Sequence, residues 1–125
     1  MEAVLIDTSV LIGRFRKEPR AMAALTTIGN ADLLLCDAIV AEVLAGTRSK
    51  VEYASTKREL FGQFHVLPFT MEVSSAFRKI LENISLGRDV HFADQLIAAT
   101  AIAHNVPILT LNRKHFTGIE GLQLA

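Results

Sequence analysis

The sequence is short of cysteine, of net charge and of long apolar runs, and each shortage excludes a class of protein. The single cysteine, Cys36, excludes an internal disulfide, and its apolar neighbours predict a buried thiol in a reducing compartment. Thirteen basic residues balance thirteen acidic ones, which excludes a broad basic surface for nucleic acid. No apolar run reaches the roughly 20 residues that cross a bilayer, and the acidic start "MEAVLID" is unlike a secretory signal. We therefore expect a cytoplasmic protein without membrane association.

Basic residues are nevertheless grouped locally. Three short clusters, at residues 14–20, 57–58 and 113–114, could contact RNA or could simply be solvated surface. Half of the 125 residues are apolar, and no linker rich in proline, glycine or serine interrupts them. We therefore expect residues 1–125 to form a single domain around one core.

Short apolar runs alternate with helical patterns along the chain. The predicted strands cover residues 3–6, 31–36, 65–69 and 106–111, with a further edge strand at 122–124. One helix is predicted directly after Asp7, and further helices are predicted for residues 18–29, 37–46, 51–64, 71–86 and 91–105. Asp37 is expected to cap the helix at 37–46, and residues 46–50 either end that helix or only interrupt it. The alternation predicts an α/β fold with three layers, in which helices cover both faces of a parallel sheet.

Three acidic residues lie beside apolar strands or inside apolar helices. Asp7 directly follows the first strand, and Asp94 lies in the first turn of the helix that precedes the last long strand. Because ligands of parallel sheets bind outside the carboxyl ends of the strands, both could face one site. Each also has a structural explanation, since Asp7 can cap a helix and Asp94 can complement a helix dipole. Glu42, in "AIVAEVLAG", is either a buried carboxylate or part of the one wet stripe of its helix.

Taken together, the three carboxylates predict a site for a hard cation. Oxygen ligands suit Mg²⁺ or Mn²⁺, and clustered carboxylates repel one another unless a cation neutralises them. The chain has neither a cysteine–histidine grouping for zinc nor the glycine motifs that bind nucleotides. The chemistry that fits is metal-assisted attack of water on a phosphodiester. Neighbouring hydroxyl and amide groups would orient ligands and water around the acids, and these groups belong to Thr8, Ser9, Thr110 and Asn112.

Three stretches of the chain resemble one known family. They are "VLIDTSVLI", "IVAEVLAG" and "ADQLIAATAIAHNVPILTLNRKHF", which in this order are similar to PIN-domain ribonucleases of the VapC type, the toxins of toxin–antitoxin systems. The resemblance covers essentially the whole chain and implies a three-layer α/β/α domain with a mainly parallel sheet of about five strands. It also implies an endoribonuclease that uses Mg²⁺ or Mn²⁺ to cut RNA, with transfer RNA or another structured RNA as the family-level substrate.

The resemblance assigns roles to individual positions. The acids that bind the metal and act in catalysis would be Asp7, Glu42 and Asp94, and the polar pair of the last motif would be Thr110 and Asn112. These are the same residues that the position of the acids and hydroxyls singles out. The family pattern therefore agrees with the reading of the residues alone.

One position departs from the family pattern. Many members carry a fourth acid just before the phenylalanine of the last motif, whereas "NRKHF" has His115 there. Some toxin-type members also have a histidine at this position, so activity need not be lost, although a second metal ion is less expected. We expect His115 to be a further supporting residue around the acids, and the alternative is a surface or capping residue. His91, in front of Asp94, could meet RNA, carry protons or simply start its helix.

The family also implies partners. Its toxins are neutralised by a small antitoxin of the VapB type whose C-terminal segment fills the active-site groove, and they commonly form homodimers. An alternative hypothesis is a catalytically silent PIN-fold module that binds RNA or a protein. The missing fourth acid is the feature that favours this alternative.

Overall fold

The computed structural model describes residues 1–83 and 91–125. Its strands are β1 (Ala3–Ile6), β2 (Asp32–Cys36), β3 (His65–Leu67) and β4 (Ile108–Leu109). Its helices are α1 (Thr8–Phe15), α2 (Pro19–Thr27), α3 (Asp37–Ala45), α4 (Lys50–Gln63), α5 (Met71–Glu82) and α6 (Phe92–Ala103), and a short 3₁₀-helix covers Arg113–His115. Within these ranges, no helix is long and apolar enough to cross a membrane.

The described strands form one parallel sheet in the order β3-β2-β1-β4. The chain moves outward from β1 through β2 to β3, and then returns to place β4 on the other side of β1. The strand order therefore reverses between β1 and β4, and such a reversal opens a crevice at the carboxyl ends of the two strands. The predicted α/β fold with a parallel sheet is confirmed.

Apolar side chains of the sheet form the centre of the core. Val4, Leu5 and Ile6 of β1 are fully buried, as expected for a strand that has neighbours on both sides. Cys36 at the end of β2 is also fully buried, and burial raises the pKa of its thiol. The prediction of a buried thiol is therefore confirmed.

Local sequence explains where most helices begin and end. The side chains of Asp7, Ser49 and Thr70 each accept a backbone N–H at the start of α1, α4 and α5. Pro19 is the first residue of α2, where its missing N–H has no helical partner to lose. Gly29 has a φ of 60° just after α2, a conformation that glycine adopts without strain.

Two of the predicted helix boundaries differ from the structure. Cys36 occupies the N-cap position of α3 without a side-chain hydrogen bond, so the prediction of Asp37 as the cap was wrong. Asp37 is the first helical residue, where its charge still complements the helix dipole. Residues 46–49 end the helix rather than interrupt it, because Gly46 is the C-cap of α3 and Ser49 caps a new helix that begins at Lys50. The helix predicted to reach residue 86 ends at Glu82 in α5, and residues 84–90 lie outside the described residues.

The predicted strands after the first are all shorter than expected, by one residue for β2 and two for β3, and by more for the last two. The strand predicted for residues 106–111 is reduced to Ile108 and Leu109, because the chain turns after Leu109 and the Asn112 N–H bonds to the Thr110 hydroxyl instead of a strand. The predicted edge strand at 122–124 contributes only one parallel bridge, between Ile108 and Leu124. The sheet of about five strands is therefore four strands and a bridge in the described residues.

Candidate functional site

A polar pocket of about 430 Å³ lies at the carboxyl ends of β1 and β4. Its lining residues are Asp7, Thr8, Ser9, Glu42, His91, Phe92, Ala93, Asp94, Asn112 and His115. The three predicted acids thus line one pocket, together with most of the predicted supporting residues. Thr110 is absent from the lining because its buried side chain lies behind Asp7, to which it is hydrogen-bonded.

Strand register explains why Asp7 and Thr110 meet although 103 residues separate them. Ile6 of β1 pairs with Leu109 of β4, so the next residue of each strand emerges at the same edge of the sheet. The Asp7 N–H donates to the Leu109 carbonyl at 3.1 Å, which continues the ladder by one bond. The proximity of the Asp7 and Thr110 side chains is therefore a consequence of the pairing of two apolar strands.

The Asp7 carboxylate is only 4% exposed and accepts three hydrogen bonds. The Ser9 hydroxyl donates to Oδ1 at 2.6 Å, and the Val10 N–H donates to the same oxygen at 3.2 Å. The Thr110 hydroxyl donates to Oδ2 at 2.6 Å. A carboxylate has about four lone-pair sites, so one acceptor position remains, on Oδ2. Capping of α1 by Asp7 is confirmed, and it leaves one acceptor position on the carboxylate for a ligand.

The same two hydroxyls also hold the loop after β4. The Leu111 N–H donates to the Ser9 hydroxyl at 3.2 Å, and the Asn112 N–H donates to the Thr110 hydroxyl at 2.9 Å. Each hydroxyl thus bonds Asp7 with its hydrogen and the loop with its oxygen. This arrangement fixes the backbone of Asn112, and Asn112 lines the pocket.

Asp94 contacts His115, the residue that departs from the predicted family pattern. The Nδ1–H of His115 donates to Asp94 Oδ2 at 3.0 Å, and both side chains are partly exposed. The imidazole rings of His91 and His115 are stacked, with centroids 4.8 Å apart and planes inclined by 10°. His91 also occupies the N-cap position of α6, without a side-chain capping bond. Both histidines therefore belong to the pocket.

Glu42 is solvent-exposed on α3, so the interpretation as a wet stripe is confirmed. Its pKa is nevertheless raised, chiefly by partial desolvation and next by the negative charge of Asp94, with a smaller contribution from Asp7. The nearby Thr8 hydroxyl lowers this pKa. Glu42 is therefore close enough to Asp94 and Asp7 for their charges to raise its pKa.

The residues of the pocket fit a hydrated Mg²⁺ or Mn²⁺ ion. Among the described residues, no three His, Cys, Asp or Glu side chains form a complete ligand set. This is compatible with Mg²⁺, which keeps several waters and is usually bound through one or two carboxylates and a substrate phosphate. The buried Thr8 Oγ1 makes no geometric hydrogen bond in the described part of the chain, although it is near enough to Glu42 to lower the pKa of that carboxyl. An ordered water would satisfy it.

Sequence reasoning did not single out Phe92 or Ala93, which also line the pocket. Phe92 is exposed and stands between His91 and Asp94 in "HFAD". An aromatic residue between a histidine and a candidate metal ligand was the signal that could have found it. The position of Arg20 was equally hidden, since its guanidinium donates to the Leu111 carbonyl at 3.5 Å, 91 residues away.

The chain was compared with known proteins. The family model described as "PIN domain" matches residues 4–121. The chain is 45% identical to a protein named Ribonuclease VapC from Rickettsia bellii over 62 residues, which are 49% of this chain and 46% of that protein. The match therefore spans about half the length of this relative. The chain is 31% identical to Ribonuclease VapC1 of Methanocaldococcus jannaschii over 120 residues, which are 94% of this chain and 81% of that protein.

Solved structures agree with the fold. A structure described as a toxin–antitoxin complex from Klebsiella pneumoniae superposes with a TM-score of 0.75 at 24% identity. The superposition covers 96% of this chain and 95% of that chain. With the family match and the relative that is aligned over most of both lengths, this confirms the resemblance predicted from the sequence. The chain belongs to the PIN-domain family and, within it, to the VapC type.

Proposed function

We propose that the chain is an endoribonuclease that depends on Mg²⁺ or Mn²⁺ and acts as the toxin of a toxin–antitoxin pair. The observation that supports it most is the pocket shared by Asp7, Glu42 and Asp94, where partial desolvation and then the charges of the other two acids raise the pKa of Glu42. The relatives named as VapC ribonucleases support the same activity. In this proposal residues 1–125 act as one PIN domain in the cytoplasm, which the free, buried Cys36 favours.

Asp7, Glu42 and Asp94 would hold the metal ion through carboxylate oxygens. When bound, the ion would offset charge on the phosphate and activate water as the nucleophile. Ser9 and Thr110 orient the Asp7 carboxylate by donating to opposite oxygens of it. His115 orients Asp94 in the same way from the 3₁₀-helix. Pre-oriented ligands raise metal affinity, because less freedom is lost on binding.

Thr8 and Asn112 would bind water or substrate rather than the acids. Both residues line the pocket, and the Thr8 hydroxyl is buried without a partner among the described residues. Basic residues next to the pocket would receive the RNA backbone. Arg20 bonds to the loop that holds Asn112, and the exposed Lys114 precedes His115. Such local contacts suit a chain whose charges balance overall.

The proposal includes two protein partners. A small antitoxin with a basic side chain would silence the enzyme, because a cation from the partner would offset the same carboxylates that bind the metal. A homodimer is supported by apolar side chains that α4 exposes to solvent, among them Val51, Tyr53 and Phe61. Sedimentation of the purified chain tests the dimer.

The test of the activity is cleavage of end-labelled small RNA by the purified chain freed of any bound protein. Specific fragments should form with Mg²⁺ or Mn²⁺, disappear with chelator and be absent with Asp94→Asn. Asp32→Asn is the matched control, because Asp32 is exposed at the amino end of β2, at the opposite edge of the sheet. Equal cleavage by Asp94→Asn and the parent chain would contradict the assignment of Asp94.

A second candidate is a PIN-fold module that binds RNA or a protein without cutting. The contact between His115 and Asp94 favours it, because the imidazole occupies one oxygen that a metal would use. Such a module would yield no metal-dependent fragments, and Asp94→Asn would keep its biological effect. Growth inhibition by the parent chain and by Asp94→Asn therefore distinguishes the two candidates.

A further inference from the structure

The pocket has an apolar residue at its rim that neither the core nor the acids explain. Phe92, the first residue of α6, lines the pocket while its side chain is 63% exposed. An exposed phenyl ring is unfavourable in water, and it contributes no ligand to a metal ion. Its position beside three carboxylates suits a ligand with both a charged and a flat apolar part.

Two further rings stand at the same rim. His91 and His115 line the pocket next to Phe92, and their imidazole rings are stacked nearly parallel, 4.8 Å apart. The bond from His115 Nδ1 to Asp94 fixes the plane of this pair. We call His91, Phe92 and His115 the aromatic rim. It contains flat rings at the edge of a site that binds phosphate in the function proposed above.

We propose that the aromatic rim is a stacking site for an unpaired nucleobase, next to the phosphate that is cut. The inference rests on the proposed ribonuclease activity and adds the residues that would receive the base beside the cleavage site. Proteins that bind single-stranded RNA stack bases on aromatic side chains, including phenylalanine and histidine. Phe92 and Asp94 both line the pocket from the first turn of α6, so a nucleotide whose phosphate lies at the acids can place its own base at the rim.

The nature of the rim favours a base over the phosphate backbone. Phe92 has no hydrogen-bonding group, and the adjacent carboxylates repel a phosphate that arrives without a cation. A base has a flat apolar face, so stacking on Phe92 removes apolar surface of both from water. A base inside a duplex has no free face, so duplex RNA would have to extrude a nucleotide before it could be cut.

Steady-state kinetics on a single-stranded RNA test the proposal. Phe92→Ala should raise KM about 5- to 150-fold, which is the usual effect of losing one base stack, with kcat changed less than about 2-fold. Phe92→Tyr and Phe92→Trp keep a ring and should restore KM. Phe69→Ala is the matched control, since Phe69 is 45% exposed and follows Pro68, whose carbonyl contacts His104 at the other end of α6.

Fluorescence gives a readout that does not depend on turnover. The chain has no tryptophan, so Phe92→Trp introduces a single reporter at the rim. A short RNA with a phosphorothioate in place of the cut phosphate should quench this tryptophan. The same RNA with an abasic nucleotide at the flanking position should quench it several-fold less and bind more weakly.

The outcomes separate this inference from the proposed function. If the parent chain shows no metal-dependent cleavage, the proposed ribonuclease is wrong and the inference falls with it. If the parent chain cleaves RNA while Phe92→Ala and Phe69→Ala have the same KM, the activity stands and the stacking site is wrong. If Phe92→Ala weakens only the binding of the antitoxin, the rim is a protein contact and the inference is also overturned.

Discussion

Thr110 offers the sharpest test of how the site is held together. Its side chain is 5% exposed, and its hydroxyl donates to Asp7 at 2.6 Å and accepts the Asn112 N–H at 2.9 Å. Thr110→Val keeps the shape of the side chain and removes both bonds. A hydrogen bond to a charged group contributes about 1.5–3 kcal/mol, whereas the Asn112 N–H is partly solvated and adds up to about 1 kcal/mol. The free energy of unfolding should therefore fall by about 2–3 kcal/mol.

Thr100 provides the matched control within the same chain. It is fully buried, its hydroxyl donates to the Leu96 carbonyl of its own helix at 2.8 Å, and its other neighbour is the Cys36 thiol, a weak hydrogen-bonding group. That carbonyl also accepts a backbone bond of the helix, so Thr100→Val should change the free energy of unfolding by less than about 1 kcal/mol. The comparison isolates the bonds to Asp7 and the loop from the general cost of changing a buried threonine.

Urea titrations monitored by circular dichroism measure the free energy of unfolding of both variants. An unchanged dependence of this free energy on urea concentration would show that the compactness of the native and unfolded states is preserved. At roughly 3–5 °C per kcal/mol for a chain of this size, Thr110→Val should also melt about 6–15 °C lower. Equal effects of Thr110→Val and Thr100→Val would refute the reasoning. In that case the contacts seen at Asp7 would not be what holds the loop after β4.

Two further predictions concern stability. Because the pKa of Glu42 is raised above its ordinary value of 4.5, the native chain binds this proton more tightly than the unfolded chain, and stability falls as pH rises from about 4.5 through the raised pKa. Glu42→Gln should therefore raise the urea midpoint of unfolding at pH 7 but not at pH 3.5. An equal rise of the midpoint at both pH values would show that the charge of Glu42 is not the cause. Gly13→Ala should lower the free energy of unfolding by about 1–2 kcal/mol, because its methyl group would overlap Ala21 where α1 meets α2. Gly62→Ala, whose methyl group meets no atom, should raise the free energy of unfolding by about 0.5–1 kcal/mol. If both substitutions lower the free energy of unfolding, the loss at Gly13 cannot be assigned to crowding against Ala21.

The elements were predictable because each depends on a local pattern. The apolar run at 3–6, the proline at the start of α2 and the glycine after it are read within a few residues, and the structure agrees with them. The strand predicted for residues 106–111 was too long because that prediction also relied on a local pattern alone. Its apolar pattern continues beyond Leu109, but the Thr110 hydroxyl bonds to Asn112 two residues later, which is not visible from hydropathy.

The site was predictable by residue type and not by geometry. Acids and hydroxyls after strands indicated which side chains would matter, because parallel strands end at one edge. The partners of these side chains depend on register and on helix placement. The stacking of His91 on His115 and the exposure of Phe92 at the pocket could therefore be seen only in three dimensions.

Asp7 shows why a structural and a functional explanation need not compete. Its carboxylate caps α1 and bonds to Thr110, and these bonds leave an acceptor position that faces the pocket. In the function proposed above the two roles are coupled, because the bonds that stabilise the fold also fix the orientation of the carboxylate that would bind the cation. A substitution at Asp7 would therefore lower stability and activity together, and the loss could not be assigned to either. Asp94 has one described side-chain bond, to a partly exposed histidine, so its substitution separates chemistry from folding.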